Sequence, residues 1–93
     1  MTDEELLEEV KKRIGVTGTY QDGTITGHIQ DVKDFMIDAG VNKTLMTSKT
    51  IIGAVTRGVS DLWNYGSGDG EFSTYFYQRV TQLCYGGGEN EGL

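Results

Sequence analysis

IIGAVTRGVSDLWNY, residues 51–65, decides the fold. Its apolar residues Ile51, Ile52, Val55, Val59, Leu62 and Trp63 recur at steps of three and four, which gathers them on one face of a 3.6-residue helix. Gly53 and Gly58 each cost roughly 1 kcal/mol of helix propensity against alanine. A helix that keeps them is expected to let another backbone come close. Thr47 or Ser48 can cap its start, and Gly66 can supply a left-handed stop. At roughly 1.5 Å per residue such a helix spans about 22 Å, the breadth of a small domain. The rest of the chain reads as shorter helices packed around it.

Upstream, residues 2–14 carry a complete set of helix signals. Thr2 and Glu5 have capping-box spacing. Asp3, Glu4 and Glu5 crowd the positive end of the helix dipole, while Lys11, Lys12 and Arg13 crowd the negative end. Glu8 to Lys12 and Glu9 to Arg13 are favourable i,i+4 pairs. Leu6, Leu7, Val10 and Ile14 make a narrow apolar stripe, and Gly15 ends the helix. After a loop with Asp22-Gly23 as its turn signal, residues 24–39 form a second helix. Ile25, Ile29, Val32, Met36 and Ala39 are its core seam, Asp31, Lys33, Asp34 and Asp38 face water, and Gly40 closes it. Leu45 and Met46 tuck under the bundle on the way to the central helix.

Downstream, Gly66 and the polar run SGDGE make a tight link. Ser73 is a good N-cap, and Phe72 with Tyr77 fits a hydrophobic staple. Phe76, Val80, Leu83 and Cys84 supply a buried face before three consecutive glycines, Gly86-Gly87-Gly88. The expectation is an all-α bundle of about four helices, near residues 2–14, 24–39, 48–65 and 73–85, joined by glycine-rich loops. Residues 1–86 form one helical domain, and residues 87–93 read as a flexible C-terminal tail.

A length of 93 residues fits a single domain with a modest core, which leans on partners for part of its stability. Apolar content of 37% and charged content of 24% suit a globular chain better than a disordered one. The net charge of −6 argues against nucleic-acid binding as the main task, since phosphate recognition needs clustered Lys and Arg. An acidic surface can still line a route that DNA slides along, because like charges repel. Lone Cys84 excludes an intramolecular disulfide and a multi-cysteine metal site. No run approaches the roughly 18 apolar residues of a membrane span. The acidic start TDEELLEEV is unlike a signal peptide, which gives the expectation of a cytosolic product.

Candidate chemistry is sparse. Gly66-Ser67-Gly68-Asp69-Gly70 lacks the lysine and hydroxyl of a phosphate loop and follows a helix instead of a strand. Asp22 and Asp69 each precede glycine as turn formers, and neither begins the alternating ligand series of a calcium loop. His28, with no second histidine, reads as a solvent-facing or interface residue, not as a zinc ligand. Cys84 reads as a small core hydrophobe. No catalytic residue, cofactor or metal is expected, and the chain does not read as an enzyme.

The aromatics carry more. Trp63, Tyr65, Phe72, Tyr75, Phe76 and Tyr77 cluster around one loop, either as a surface set of the kind favoured in protein interfaces or as one aromatic core with half-exposed rings. Charge is uneven as well. Between residues 42 and 65, Lys43, Lys49 and Arg57 stand against Asp61, a balance of +2 that leaves −8 for the rest of the chain. A basic flank and an acidic first helix could give head-to-tail ring assembly its electrostatic complementarity.

The run from Ile52 to Gly68, followed by Phe72-Ser73, Tyr75-Phe76 and Gln78-Arg79-Val80, resembles the head–tail connector, or head-completion and DNA-packaging, proteins of tailed phages and prophages. The opening helix ending Lys12-Arg13-Ile14-Gly15 and the helix from Ile29 to Ala39 fit the start of the same family. The likeness spans nearly the whole chain, with the stretch from Arg57 to Val80 its most specific part. Many members carry proline directly after the position of Ser73, where this chain has Thr74, a slightly weaker helix start.

The resemblance implies an all-α bundle that assembles as a homo-oligomeric ring beneath the portal protein in the virion neck, and that can be monomeric when free. It implies extension of the DNA channel without sequence-specific binding, and a docking surface for the next neck or tail-completion protein. The family has no catalytic residues to carry over. Charge and aromatic placement nominate Lys49, Arg57, Trp63, Tyr65 and Tyr75 as interface residues. The alternative is a small acidic monomeric adaptor or regulator that binds a basic partner. A helical DNA-binding protein is a weaker rival on charge grounds.

Overall fold

The first helix shows how local signals become geometry. In the computed structural model, which describes residues 1–65 and 72–89 (backbone only for Tyr65 and residues 86–89), helix α1 runs Asp3–Ile14. The capping box is complete: the Glu5 N–H donates to Thr2 Oγ1 at 3.1 Å, and the Thr2 N–H donates to Glu5 Oε1 at 2.8 Å. Gly15 closes the helix with φ of 81°, a left-handed conformation that glycine adopts without steric penalty. Helix α2 follows as Asp22–Ala39, ended by Gly40 at φ 112°, and the Val41 N–H reaches back to the Met36 carbonyl at 3.0 Å. Two short 3-10 turns, Leu45–Thr47 and Lys49–Ile51, lead into helix α3, Ile52–Tyr65. Ser48 Oγ accepts from the Thr50 N–H at 2.9 Å and so starts the second turn. Helix α4 is Thr74–Glu89. Among the described residues there is no strand, and the fold is a small all-α bundle.

Several boundaries differ from the sequence expectation. The third helical segment begins as a 3-10 turn, so α3 proper starts at Ile52. Helix α2 starts at Asp22, because Asp22-Gly23 forms its first turn instead of a preceding loop. A carboxylate there complements the helix dipole, and it also meets a buried cation from α1. Helix α4 passes Tyr85 and continues through Gly86–Gly88 to Glu89. Glycine permits a helix stop but does not impose one, since it ends a helix only where it turns left-handed, as Gly15 and Gly40 do. The proposed stop at Gly66 and the SGDGE link lie outside the described residues, as do residues 90–93 of the expected tail.

The core is one cluster drawn from every helix. The α2 seam buries Ile25, Ile29, Val32 and Met36, whereas Ala39, counted with that seam, is exposed. Its carbonyl instead accepts from Cys84 Sγ at 3.3 Å, with the thiol half-buried against the core. Helix α3 and the turn before it contribute Ile51, Ile52, Ala54, Val55, Val59 and Leu62, and α4 contributes Phe76, Val80 and Leu83. Each fully buried large side chain stabilises the fold by about 1.5–3 kcal/mol relative to exposure. Met46 is buried and Leu45 packs against the cluster.

The two helical glycines have different roles. A Cβ on Gly58 would lie 2.7 Å from the Phe76 ring and 2.8 and 2.9 Å from the two Val32 methyls. What comes close is thus a pair of side chains, not a backbone. Val32 is stiff at χ1 and Phe76 is fully buried, so neither can yield cheaply. Gly58→Ala is expected to destabilise by about 1–2 kcal/mol, the overpacking cost exceeding the roughly 1 kcal/mol gain in propensity. Denaturant unfolding checks it, and a stabilised variant would contradict the close approach. Among the described residues beyond its own helical turn, a Cβ on Gly53 would meet nothing within 4 Å.

One polar contact inside the bundle was not foreseen. Lys11 is only 6% exposed, pairs with Asp22 Oδ1 at 2.7 Å, and donates to the Gly18 carbonyl. It ties the end of α1 to the loop and to the start of α2, so it is a structural cation, not a solvated dipole partner. On the exposed side, Lys12 pairs with Glu9 at 3.3 Å, not with Glu8, while Arg13 pairs with Glu9 at 3.7 Å.

Candidate functional site

The start of α4 is built by residues of α3. Asp61 is 3% exposed, and its Oδ2 accepts the Ser73 N–H at 2.9 Å. Arg57, one turn earlier, brings Nε to 3.5 Å from Asp61 Oδ1 and 3.3 Å from Ser73 Oγ. Ser73 Oγ in turn accepts the Phe76 N–H at 3.2 Å, the N-cap bond of α4. The Arg57 guanidinium lies 5.6 Å from the centroid of the Tyr75 ring, a cation–π distance. Phe72 and Tyr77 meet edge to face at 6.1 Å as the staple requires, and Phe72 stacks on Phe76 at 4.4 Å. Phe35 of α2 completes this cluster. Phe35, Phe72 and Phe76 therefore form an aromatic core, whereas Tyr75, at 60% exposed, looks outward.

A trough opens on the outer side of α3, opposite its buried face. Arg13 and Ile14 line it from the end of α1, and Tyr75 lines it from α4. Between them run Gly53, Thr56, Arg57, Ser60 and Trp63 of α3. A second hollow shares Gly53 and Tyr75 and continues along α4 past Gln78 and Arg79. Arg79 donates to Gln82 Oε1 at 3.1 Å. Three arginines thus border one surface, and among the described residues no Asp or Glu lines it. Asp61 lies beneath, buried and engaged.

Of the residues nominated from sequence, Arg57, Trp63 and Tyr75 come together on this trough. Lys49 does not join them. It borders a separate hollow with Glu4, Glu5, Glu8 and Glu9 of its own α1, so part of the expected charge complementarity is met within the chain. The side chain of Tyr65 lies outside the described residues. Trp63 is half-buried, with its ring edge-on to His28 at 6.3 Å and 88°, so His28 packs against the bundle instead of standing free. Arg57 has a second task, because its Nε helps hold the start of α4. Reversing its charge would disturb the fold together with any interface. Arg13, Gly53 and Arg79 were missed. Gly53 could have been found, since it falls opposite the apolar seam of its own helix.

Beside Lys49, the Glu5 carboxyl is held below its ordinary value, first by the Thr2 backbone N–H and to a lesser degree by the N-terminal ammonium and Lys49. A lowered folded-state value means the carboxylate form stabilises α1 above the ordinary range of glutamate. That contribution is lost as pH falls through the lowered value. Glu5→Gln is expected to remove this acid-side component and flatten the decline of Tm at low pH. An unchanged pH profile would contradict the assignment.

Among the described residues, no three His, Cys, Asp or Glu side chains gather as a metal site would need, and no helix is long and apolar enough to cross a membrane. No family model, curated protein or solved structure matches the chain.

Proposed function

We propose that the chain is a structural neck protein of a tailed phage or prophage, a head–tail connector. It assembles as a ring on the portal protein, extends the DNA channel, and offers the next neck or tail-completion protein a docking surface. It is made in the bacterial host cytoplasm and acts in the virion. One observation carries the reading: residues of the family-like run that stand outside the buried core, Gly53, Thr56, Arg57, Ser60, Trp63 and Tyr75, converge on one trough. A face with arginine, tryptophan and tyrosine at its edges has the composition of a protein interface. The acidic remainder of a chain with net charge −6 suits a channel wall that does not hold DNA.

Deleting the coding sequence from the source phage or prophage tests this reading. The expected result is DNA-packed heads and free tails that fail to join, restored by supplying the protein in trans. Normal tailed particles from the deletion would overturn it.

A further inference from the structure

We propose that the trough on α3 and α4 receives the outward face of α2 from a second copy of this chain, in a head-to-tail contact. The inference deepens the ring reading and rests on it.

Two local features are unfavourable in the single chain, and one contact relieves both. The first is Gly53. It sits within α3 at a cost of roughly 1 kcal/mol against alanine, yet among the described residues beyond its own helical turn no atom lies within 4 Å of where a Cβ would stand. Gly58 has its reason in Phe76 and Val32, and Gly53 has none inside the bundle. It lies where the two hollows meet, at the middle of a surface bordered by Arg13, Arg57 and Arg79. A glycine there lets an incoming helix settle close to α3.

The second feature is the end of α2. Asp34 and Asp38 crowd the negative end of its dipole, and no basic residue stands in its last turn. Helix α1 shows the favourable arrangement, with Lys11, Lys12 and Arg13 in that place. Asp31, Asp34 and Asp38 are exposed and step by three and four, so they form one ridge opposite the buried seam. Lys33, the nearest cation on α2, is taken by Asp3 at 3.3 Å. Ile37, 37% exposed, adds an apolar contact beside the ridge. An acidic ridge flanked by an apolar residue complements an arginine-bordered trough with an open glycine.

The directions also fit. Helices α2 and α3 pack against each other, so the outer side of α2 and the outer side of α3 point away from one another. A contact between them joins different patches on the two copies and propagates, the heterologous type that gives a ring where the rotation between copies closes.

Two blocked variants test the contact by native mass. Gly53→Glu fills and acidifies the trough from a position where a Cβ is free of contacts among the described residues, and Asp34→Lys with Asp38→Lys reverses the ridge. Circular dichroism confirms that both keep their helices. The wild type is expected to assemble, alone or on the portal-bearing neck, and each variant to lose self-affinity at least about tenfold. An equimolar mixture is expected to stop at one-to-one pairs, because the intact ridge of one fits the intact trough of the other. Assembly of both variants like the wild type would overturn this contact while leaving the connector reading standing. A wild type that never assembles, even on the portal, would remove the connector reading and this contact with it. Loss of binding to a short DNA duplex, instead of loss of self-association, would overturn it in favour of a phosphate-binding trough.

Discussion

Phe76→Ala is expected to destabilise the protein by about 3–5 kcal/mol, the range for deleting a buried aromatic ring. Phe76 is fully buried and packs at a tilt against Phe72 and Phe35, with ring centroids at 4.4 and 5.6 Å. Its edge also fills the notch that Gly58 leaves in α3. Relaxation cannot close such a cavity easily, because Val32 and the α3 backbone border it and both are rigid. A domain of this size has about 5–15 kcal/mol in total, so the loss takes a large share. Tyr75→Ala is the control: that ring is 60% exposed and its loss is expected to cost under about 1 kcal/mol. Denaturant midpoints at unchanged slope measure both. A Phe76→Ala cost below about 1 kcal/mol would mean that α4 does not pack as described.

Asp61→Ala is expected to cost about 2–3 kcal/mol, from a residue whose position on a helix gives no hint of burial. Removing the carboxylate leaves the Ser73 N–H without its acceptor and takes from Arg57 the anion it pairs with. The buried-pair penalty is discounted because the Arg57 side chain is 46% exposed and can turn to water. Asp61→Asn keeps an oxygen for the Ser73 N–H, so about 1 kcal/mol is expected there. If the two variants lose equal stability, the charge toward Arg57 dominates and the bond that starts α4 is minor. Slower or incomplete helix formation in α4 should accompany the alanine change, visible as faster amide exchange at Phe76.

What the sequence revealed was whatever depends on near neighbours. The Thr2–Glu5 box, the left-handed stops at Gly15 and Gly40, the Phe72–Tyr77 staple and the four-residue seam of α2 all rest on spacings of a few residues. The unforeseen features depend on partners far along the chain. Lys11 read only as a cation at the negative end of the α1 dipole, because Asp22 and Gly18 meet it only after the loop folds back. Asp61 entered only the charge balance of residues 42–65, because Ser73 arrives from the next helix. Gly86–Gly88 looked like a stop because propensity was the only guide. Arg57, Trp63 and Tyr75 were recognisable from residue type, and they do share a surface. Lys49 was grouped with them by charge sign, a criterion blind to the acidic α1 beside it. The trough itself needs Arg13 and Arg79 from other helices, and no local pattern announces that meeting.

The connector reading is tested most directly by native mass across a concentration series, with and without the portal-bearing neck of the source phage. A closed ring of this chain, formed alone or on the portal, is the expected result. A chain that stays monomeric at every concentration and ignores the portal would contradict it, and a small acidic adaptor acting on a basic partner would take its place.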